Sequence, residues 1–208
     1  MNKYIAEFIG TFFLVLTIGC TVIPGAAGVI PPLAIGSALM VMIFAGGHIS
    51  GAHFNPAVTV GVWRRGRCAT ADVVPYFVAQ IAGGALAAYT ALYLVGAPKG
   101  PTLFPALMPA FLAEFLFTFA LVYVVLNSAT SKDTAGNSFY GLAIGFTVLT
   151  GAFAVGGISG GSFNPAVAIA LRMMSLVSWP SLIMHLIAEL IAGAIAAQLF
   201  LALNPTDK

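Results

Sequence analysis

The residues of this 208-residue chain best suited to handling a polar guest form two matching strings, Asn55-Pro56-Ala57 and Asn164-Pro165-Ala166. Asn is among the best helix N-caps, and Pro is pre-organised for the first helical position, where its missing N–H costs nothing. Each string therefore predicts a helix start whose cap carries an amide able to donate and accept hydrogen bonds. The apolar segments there, near 54–63 and 163–172, are too short to cross a bilayer and read as re-entrant half-helices. Glycine-rich backbone precedes each start, at 46–51 and 156–161. It is expected to be irregular, with its carbonyls forming a row of acceptors along a pore, since such backbone survives at membrane depth only where it is buried or lines water. Two half-helices entering from opposite faces would aim two positive dipole ends, about half a charge each, at one central point. That arrangement disfavours cations and leaves the Asn amides to donate to a neutral solute. One such string alone would read as an ordinary helix cap; two in equivalent settings argue for a pathway.

The remaining polar residues are few. Glu7 and Glu114 fall inside long apolar stretches, where an acid is costly and invites a functional explanation. Proton coupling is one reading; their matched placement favours the other, acceptance of hydrogen bonds from the non-helical backbone of the re-entrant segments. Glu189 aligns with Gln80, so a structural hydrogen bond is expected there rather than a required charge. His48 is expected in a loop facing the cytoplasmic vestibule, as a fixed donor to a carbonyl or as a pH-sensitive group. His53 and His185 have no Cys, His or carboxylate at ligand spacing, so no metal site is expected. Neither a nucleophile–base arrangement nor a phosphate loop occurs, which leaves enzyme activity and cofactors without support.

The elements that must position these groups follow from composition. Apolar residues make up 60% of the chain and charged residues 7%, too few charges to cover a soluble protein of this size. A net charge of +2 gives no reason to expect nucleic acid as a partner; the partner is the lipid bilayer. Six apolar stretches near spanning length run approximately 4–23, 33–50, 73–96, 106–127, 139–157 and 179–203. With the N-terminus cytoplasmic, Lys3, Arg64, Arg65, Arg67, Lys132 and Lys208 lie inside and only Lys99 and Arg172 outside, so both termini are expected in the cytoplasm. A lipoprotein-like signal ending at Cys20 is set aside because Glu7 interrupts its apolar region. A disulfide between Cys20 and Cys68 is not expected. Trp63, Trp179 and Tyr4 fall near span ends, as interfacial aromatics do. The small-residue runs at 82–88 and 192–197 are read as close helix packing.

The chain repeats itself. Ala6-Glu7-Phe8-Ile9 returns as Ala113-Glu114-Phe115-Leu116, and Ile49-Ser50-Gly51-Ala52-His53-Phe54-Asn55-Pro56-Ala57-Val58 returns as Ile158-Ser159-Gly160-Gly161-Ser162-Phe163-Asn164-Pro165-Ala166-Val167. Each copy, 1–103 and 104–208, holds three spans, an odd number, so the second is inserted upside down within one channel domain. Inverted repeats place a substrate path at their interface near the bilayer midplane. The expected fold class is an all-α membrane protein: six transmembrane helices plus two re-entrant half-helices in an inverted 3+3 repeat.

Over nearly all its length the sequence resembles the aquaporin, or major intrinsic protein, family, most specifically in His48-Ile49-Ser50-Gly51-Ala52-His53-Phe54-Asn55-Pro56-Ala57-Val58-Thr59 and the second Asn-Pro-Ala. The resemblance implies a homotetramer in the inner (plasma) membrane, each subunit with its own passive pore for water or small neutral solutes. By distance from the two Asn residues it assigns the selectivity filter to Ile35, Ala152, Gly161 and Val167. Most members carry arginine at the Val167 position, and water-selective ones carry Phe and His at the first two. Glycerol-conducting members usually place Asp where this chain has Ala168. Valine supplies neither the charge nor the five donors of arginine. A wider, apolar ring is therefore expected, favouring solutes larger than water: glycerol-like polyols, urea, or uncharged metalloid acids such as arsenite, the last by analogy with prokaryotic relatives lacking that arginine. Open alternatives are a water-selective channel despite Val167 and a secondary transporter using the intramembrane Glu residues.

Overall fold

In lipid every backbone N–H and C=O must find a partner within the protein, and the long apolar stretches meet that demand by forming helices. The computed structural model describes residues 1–25 and 28–207; Lys208, counted above among the inner basic residues, lies outside the described residues. Its helices are α1 (Asn2–Val22), α2 (Ile30–Ser50), α3 (Pro56–Arg64), α4 (Thr70–Val95), α5 (Leu107–Val125), α6 (Tyr140–Ser159), α7 (Pro165–Met173) and α8 (Trp179–Leu203). All but the nine-residue α3 and α7 are long and apolar enough to span a membrane. A wider π-helical turn, Leu126–Thr130, prolongs α5. Side chains such as Phe13, Val41, Leu86, Leu116 and Ile187 are exposed on these helices, as a lipid-facing belt requires.

Packing follows the repeat. In the first half α1 lies against α2 and α4, and in the second α5 lies against α6 and α8. The halves then exchange their short helices: α3 packs on α8, and α7 packs on α4. Small residues make this possible. A Cβ on Gly193 would lie 2.4 Å from the Ala57 carbonyl oxygen, and one on Gly84 would lie 3.3 Å from that of Ala166. The halves also meet where α2 crosses α6. There a Cβ on Gly36 would approach the Gly145 oxygen to 2.8 Å, and one on Gly145 the Gly36 oxygen to 2.6 Å.

Two expectations are corrected. The glycine-rich stretches 46–51 and 156–161 are not irregular throughout: α2 continues to Ser50 and α6 to Ser159. Within a lipid-embedded bundle an interior glycine costs less than an unsatisfied backbone group. The helices stop only at Gly51 (φ 84°) and Gly160 (φ 98°), left-handed residues of the kind that end helices. His48 accordingly occupies the last turn of α2 as an exposed residue and not a vestibule loop.

At the end of the bundle carrying the N-terminus, Lys3 pairs with Asp72 at 2.6 Å. Asp207, beyond α8, binds Arg65 at 2.6 Å and the Lys132 N–H at 2.9 Å. The Arg65 guanidinium also donates to Thr130 and stands 4.7 Å over the Phe200 ring.

A candidate channel between the two half-helices

Between α2 and α3, and again between α6 and α7, the non-helical backbone shrinks to five residues, 51–55 and 160–164. Such a tight return at membrane depth is strained. Phe54 and Phe163 both adopt left-handed backbone, φ 49° and 48°, a conformation that costs a non-glycine residue about 1–3 kcal/mol. The two buried glutamates hold these turns. Glu7 accepts from the Ser50 hydroxyl (2.6 Å) and from the N–H groups of His53 (2.9 Å) and Phe54 (2.6 Å). Glu114 accepts from the Ser159 hydroxyl (2.6 Å) and from the N–H groups of Ser162 (3.1 Å) and Phe163 (2.8 Å). A second pair of props is matched less obviously in sequence. The Tyr76 hydroxyl donates to the Ser50 carbonyl at 2.7 Å, and 109 residues later His185 Nε2 stands 3.0 Å from the Ser159 carbonyl.

So braced, the turns deliver the Asn residues nose to nose. Asn55 Oδ1 caps α3, accepting from the Ala57 N–H at 2.8 Å, and Asn164 Oδ1 caps α7, accepting from the Ala166 N–H at 3.0 Å. Pro56 and Pro165 open these helices, and Ala57 and Ala166 are buried behind them. The amide nitrogens are used crosswise: Asn55 donates to the Phe163 carbonyl and Asn164 to the Phe54 carbonyl, both at 2.8 Å. Each amide retains a second N–H with no acceptor among the described residues, and both Asn residues line one cavity of about 380 Å³.

The cavity wall is mostly aliphatic and is paired by the repeat. Leu14 faces it with Leu121, Ile18 with Val125, Ile35 with Ile144, Leu39 with Val148, and Val58 with Val167. Its polar side chains are those of Asn55, Asn164, His53 and Ser162. Ile35, Ala152, Gly161 and Val167 are all brought to this one wall from α2, α6, the 160–164 turn and α7. None of them carries a charge. Arg172 sits at the far end of α7, donating to the Val177 carbonyl at 3.4 Å with its guanidinium 4.8 Å over the Trp179 ring, and is not among the lining residues. His48 does not reach the cavity; the histidine that does is His53, whose Nδ1 lies 3.1 Å from the Thr59 hydroxyl. The repeat pattern held a signal for it, since His53 aligns with Ser162 and both immediately precede the Phe-Asn-Pro-Ala string. No cluster of metal-ligating side chains occurs among the described residues.

Comparison with known proteins gives this geometry its context. The family model for the major intrinsic protein family matches residues 1–151 and again 103–207, the second match falling on the second repeat. The chain is 38% identical over 205 residues to Glycerol uptake facilitator protein-like 6 of Lactiplantibacillus plantarum, covering 95% of this chain and 94% of that protein. It is also 38% identical over 179 residues to Aquaporin NIP1-3 of Oryza sativa subsp. japonica, covering 81% of this chain but only 62% of that longer relative. The fold matches the X-ray structure of the aquaglyceroporin from Plasmodium falciparum with a TM-score of 0.81 at 23% identity, over 96% of this chain and 94% of the other. Two capped half-helices meeting in an aliphatic passage, within six spanning helices and under a full-length family match, make this chain a member of the major intrinsic protein family, a multi-pass membrane channel for water and small solutes rather than an enzyme.

Proposed function

We propose that this channel passes neutral solutes larger than water, with water alongside them, through a filter formed by Ile35, Ala152, Gly161 and Val167. The observation that carries the reading is the uncharged wall at all four positions, with Arg172 turned away toward Trp179. Aliphatic walls shed water from the apolar face of a solute, while the free Asn55 and Asn164 N–H groups supply donors at the centre. Glycerol-like polyols, urea-like amides and uncharged metalloid acids share that character. The bacterial relative is a glycerol uptake facilitator-like protein and the structural match an aquaglyceroporin, which lean the same way. Monovalent cations meet the two half-helix dipoles as their main barrier. The functional unit in this reading is a homotetramer in the plasma membrane; its cytoplasmic termini are supported by Lys3, Arg64, Arg65, Arg67 and Lys132 falling on one side of the six spans.

The deciding experiment is a Val167→Arg variant in proteoliposomes, with stopped-flow permeability to water, glycerol, urea and arsenite and proton leak recorded in parallel. Restoring a charge and five donors at this position is expected to cut solute flux far more than water flux and to lower the leak. Unchanged solute flux and unchanged leak would refute the wide-filter reading. Flux that responds to a proton or sodium gradient would favour a coupled transporter instead.

A further inference from the structure

Gln80 and Glu189 occupy equivalent places in α4 and α8, 109 residues apart, yet one is a neutral amide and the other an acid. Gln80 Nε2 donates to Glu7 Oε2 at 2.8 Å and to the Thr59 hydroxyl at 3.0 Å, while its carbonyl oxygen is buried without a partner. In the second half Ala168 replaces Thr59, and the hydroxyl comes from Ser162 instead. Ser162 Oγ contacts Glu189 Oε1 on one side and Glu114 Oε2 at 3.3 Å on the other. A serine hydroxyl has one proton to give. Glu114 already holds the donors suited to a carboxylate anion: the Ser159 hydroxyl and the Ser162 N–H on one oxygen, the Phe163 N–H on the other. Glu189 is buried, and among the described residues its Oε2 makes no hydrogen bond of good geometry, like the Gln80 oxygen; the Asn164 N–H is the one backbone donor turned toward this carboxyl. An unpartnered carbonyl oxygen is tolerable in a protein interior, whereas an unpartnered carboxylate oxygen is far more costly.

We infer that Glu114 and Glu189 together hold a single proton, carried by Glu189 on the oxygen facing Ser162, and that this proton positions the second re-entrant turn against the channel wall. Protonated Glu189 takes the donor role of Gln80, relayed through Ser162 where Gln80 donates to Glu7 directly. Its O–H donates to Ser162 Oγ, Ser162 donates to Glu114 Oε2, and Glu114 stays free to hold the Ser162 and Phe163 N–H groups. Removing the proton leaves two carboxylates competing for one hydroxyl, and Ser162, which lines the cavity, must choose between them. At this one position, Gln80 in the first half and Glu189 in the second, only the second half can titrate. The other titratable group facing the pair is His185 of α8, with Nε2 donating to the Ser159 carbonyl and standing 3.7 Å from Glu114 Oε1. α3 and α7 add only Arg64 and Arg172, both near their far ends, and α6 adds only Tyr140 at its start. Glu7 and His53 belong to the opposite turn.

Infrared difference spectroscopy of the full-length protein tests this without any transport measurement, so its failure is separable from failure of the wide-filter reading. The wild type is expected to show the carbonyl stretch of a buried, protonated carboxylic acid at neutral pH, lost completely in Glu189→Gln and lost in the wild type at strongly alkaline pH. In proteoliposomes, wild-type solute permeability is expected to fall severalfold across the pH range over which the band disappears. Glu189→Gln is expected to hold a flat profile, and Glu189→Ala to lose permeability at every pH. No acid band in the wild type, or a band that persists in Glu189→Gln, overturns the proposal. Identical pH profiles for wild type and Glu189→Gln overturn its positioning role. If Glu189→Gln fails to assemble, the wild-type band and its alkaline loss still decide the proton's existence.

Discussion

Replacing Glu7 by Gln separates what the turn needs as an acceptor from what it needs as bulk. The carboxylate takes four donors: the Ser50 hydroxyl and His53 N–H on Oε1, the Phe54 N–H and Gln80 Nε2 on Oε2. The amide oxygen of Gln at position 7 can keep the first two. Its NH2 group then opposes two donors. Gln80 can meet that NH2 group only by turning its own amide, which gives up its bond to the Thr59 hydroxyl and moves its NH2 to a buried position without an acceptor. The Phe54 N–H cannot turn, being fixed in backbone of φ 49°. The net change is at least one orphaned buried donor, about 1–3 kcal/mol, with the Phe54 N–H lost at a residue already strained by a similar amount. Glu7→Ala strands all four donors and should cost about 3 kcal/mol or more. Thermal unfolding in detergent, followed by circular dichroism, should therefore rank wild type above Glu7→Gln and Glu7→Ala lowest. Water permeability should fall in the same order as the 51–55 turn loosens. Equal melting of Glu7→Ala and wild type would refute the claim that this side chain holds the turn.

Two further outcomes follow from packing and charge. Gly145→Ala places a Cβ 2.6 Å from the Gly36 oxygen, and Gly36→Ala places one 2.8 Å from the Gly145 oxygen. Each should destabilise by about 1–3 kcal/mol through overpacking, whereas Gly100→Ala, with nothing within 4 Å, should be neutral when the three are melted side by side. Burial alone would raise the Asp207 carboxyl, but the Lys132 N–H, the Ser131 hydroxyl and the Arg65 guanidinium outweigh it and hold it at about 2. A depressed acid contributes its stability above its unfolded value of 3.8 and loses it as pH falls toward 2. Protection of residues 126–134 in hydrogen exchange should thus be insensitive to ionisation of Asp207 at neutral and alkaline pH, and Asp207→Asn should lower it at every neutral pH.

The half-helices were legible because capping is local chemistry, and Asn-Pro states it in two residues. The repeat then turned a weak local signal into a strong one, and it marked Glu7 and Glu114 because two costly acids at matched positions need a shared structural reason. What escaped the sequence depends on contacts between distant segments. Gly46, Gly47, Gly156 and Gly157 read as loop because glycine disfavours helices in water, but without water the helix is the only partner their backbone has. His48 drew notice over His53 because titratable residues are found by type, while lining the channel depends on which way the chain emerges from Gly51. The aliphatic wall from Leu14 to Val148 is indistinguishable in composition from the lipid-facing surface; only tertiary packing tells Leu121 from Leu116.

The crosswise bonds between Asn55 and the Phe163 carbonyl, and between Asn164 and the Phe54 carbonyl, have a consequence for biogenesis. When the first three spans have entered the membrane, the Asn55 amide and the Phe54 carbonyl have only each other's neighbourhood, and their partners are still unsynthesised. The first half therefore waits in the membrane with an unfinished polar end, whatever the stability of its helices. Closure comes only when residues 160–164 arrive from the opposite face and satisfy both halves in one step. The centre of the conducting surface thus belongs to neither half alone, and a first repeat by itself keeps an amide and a carbonyl unpaired at membrane depth.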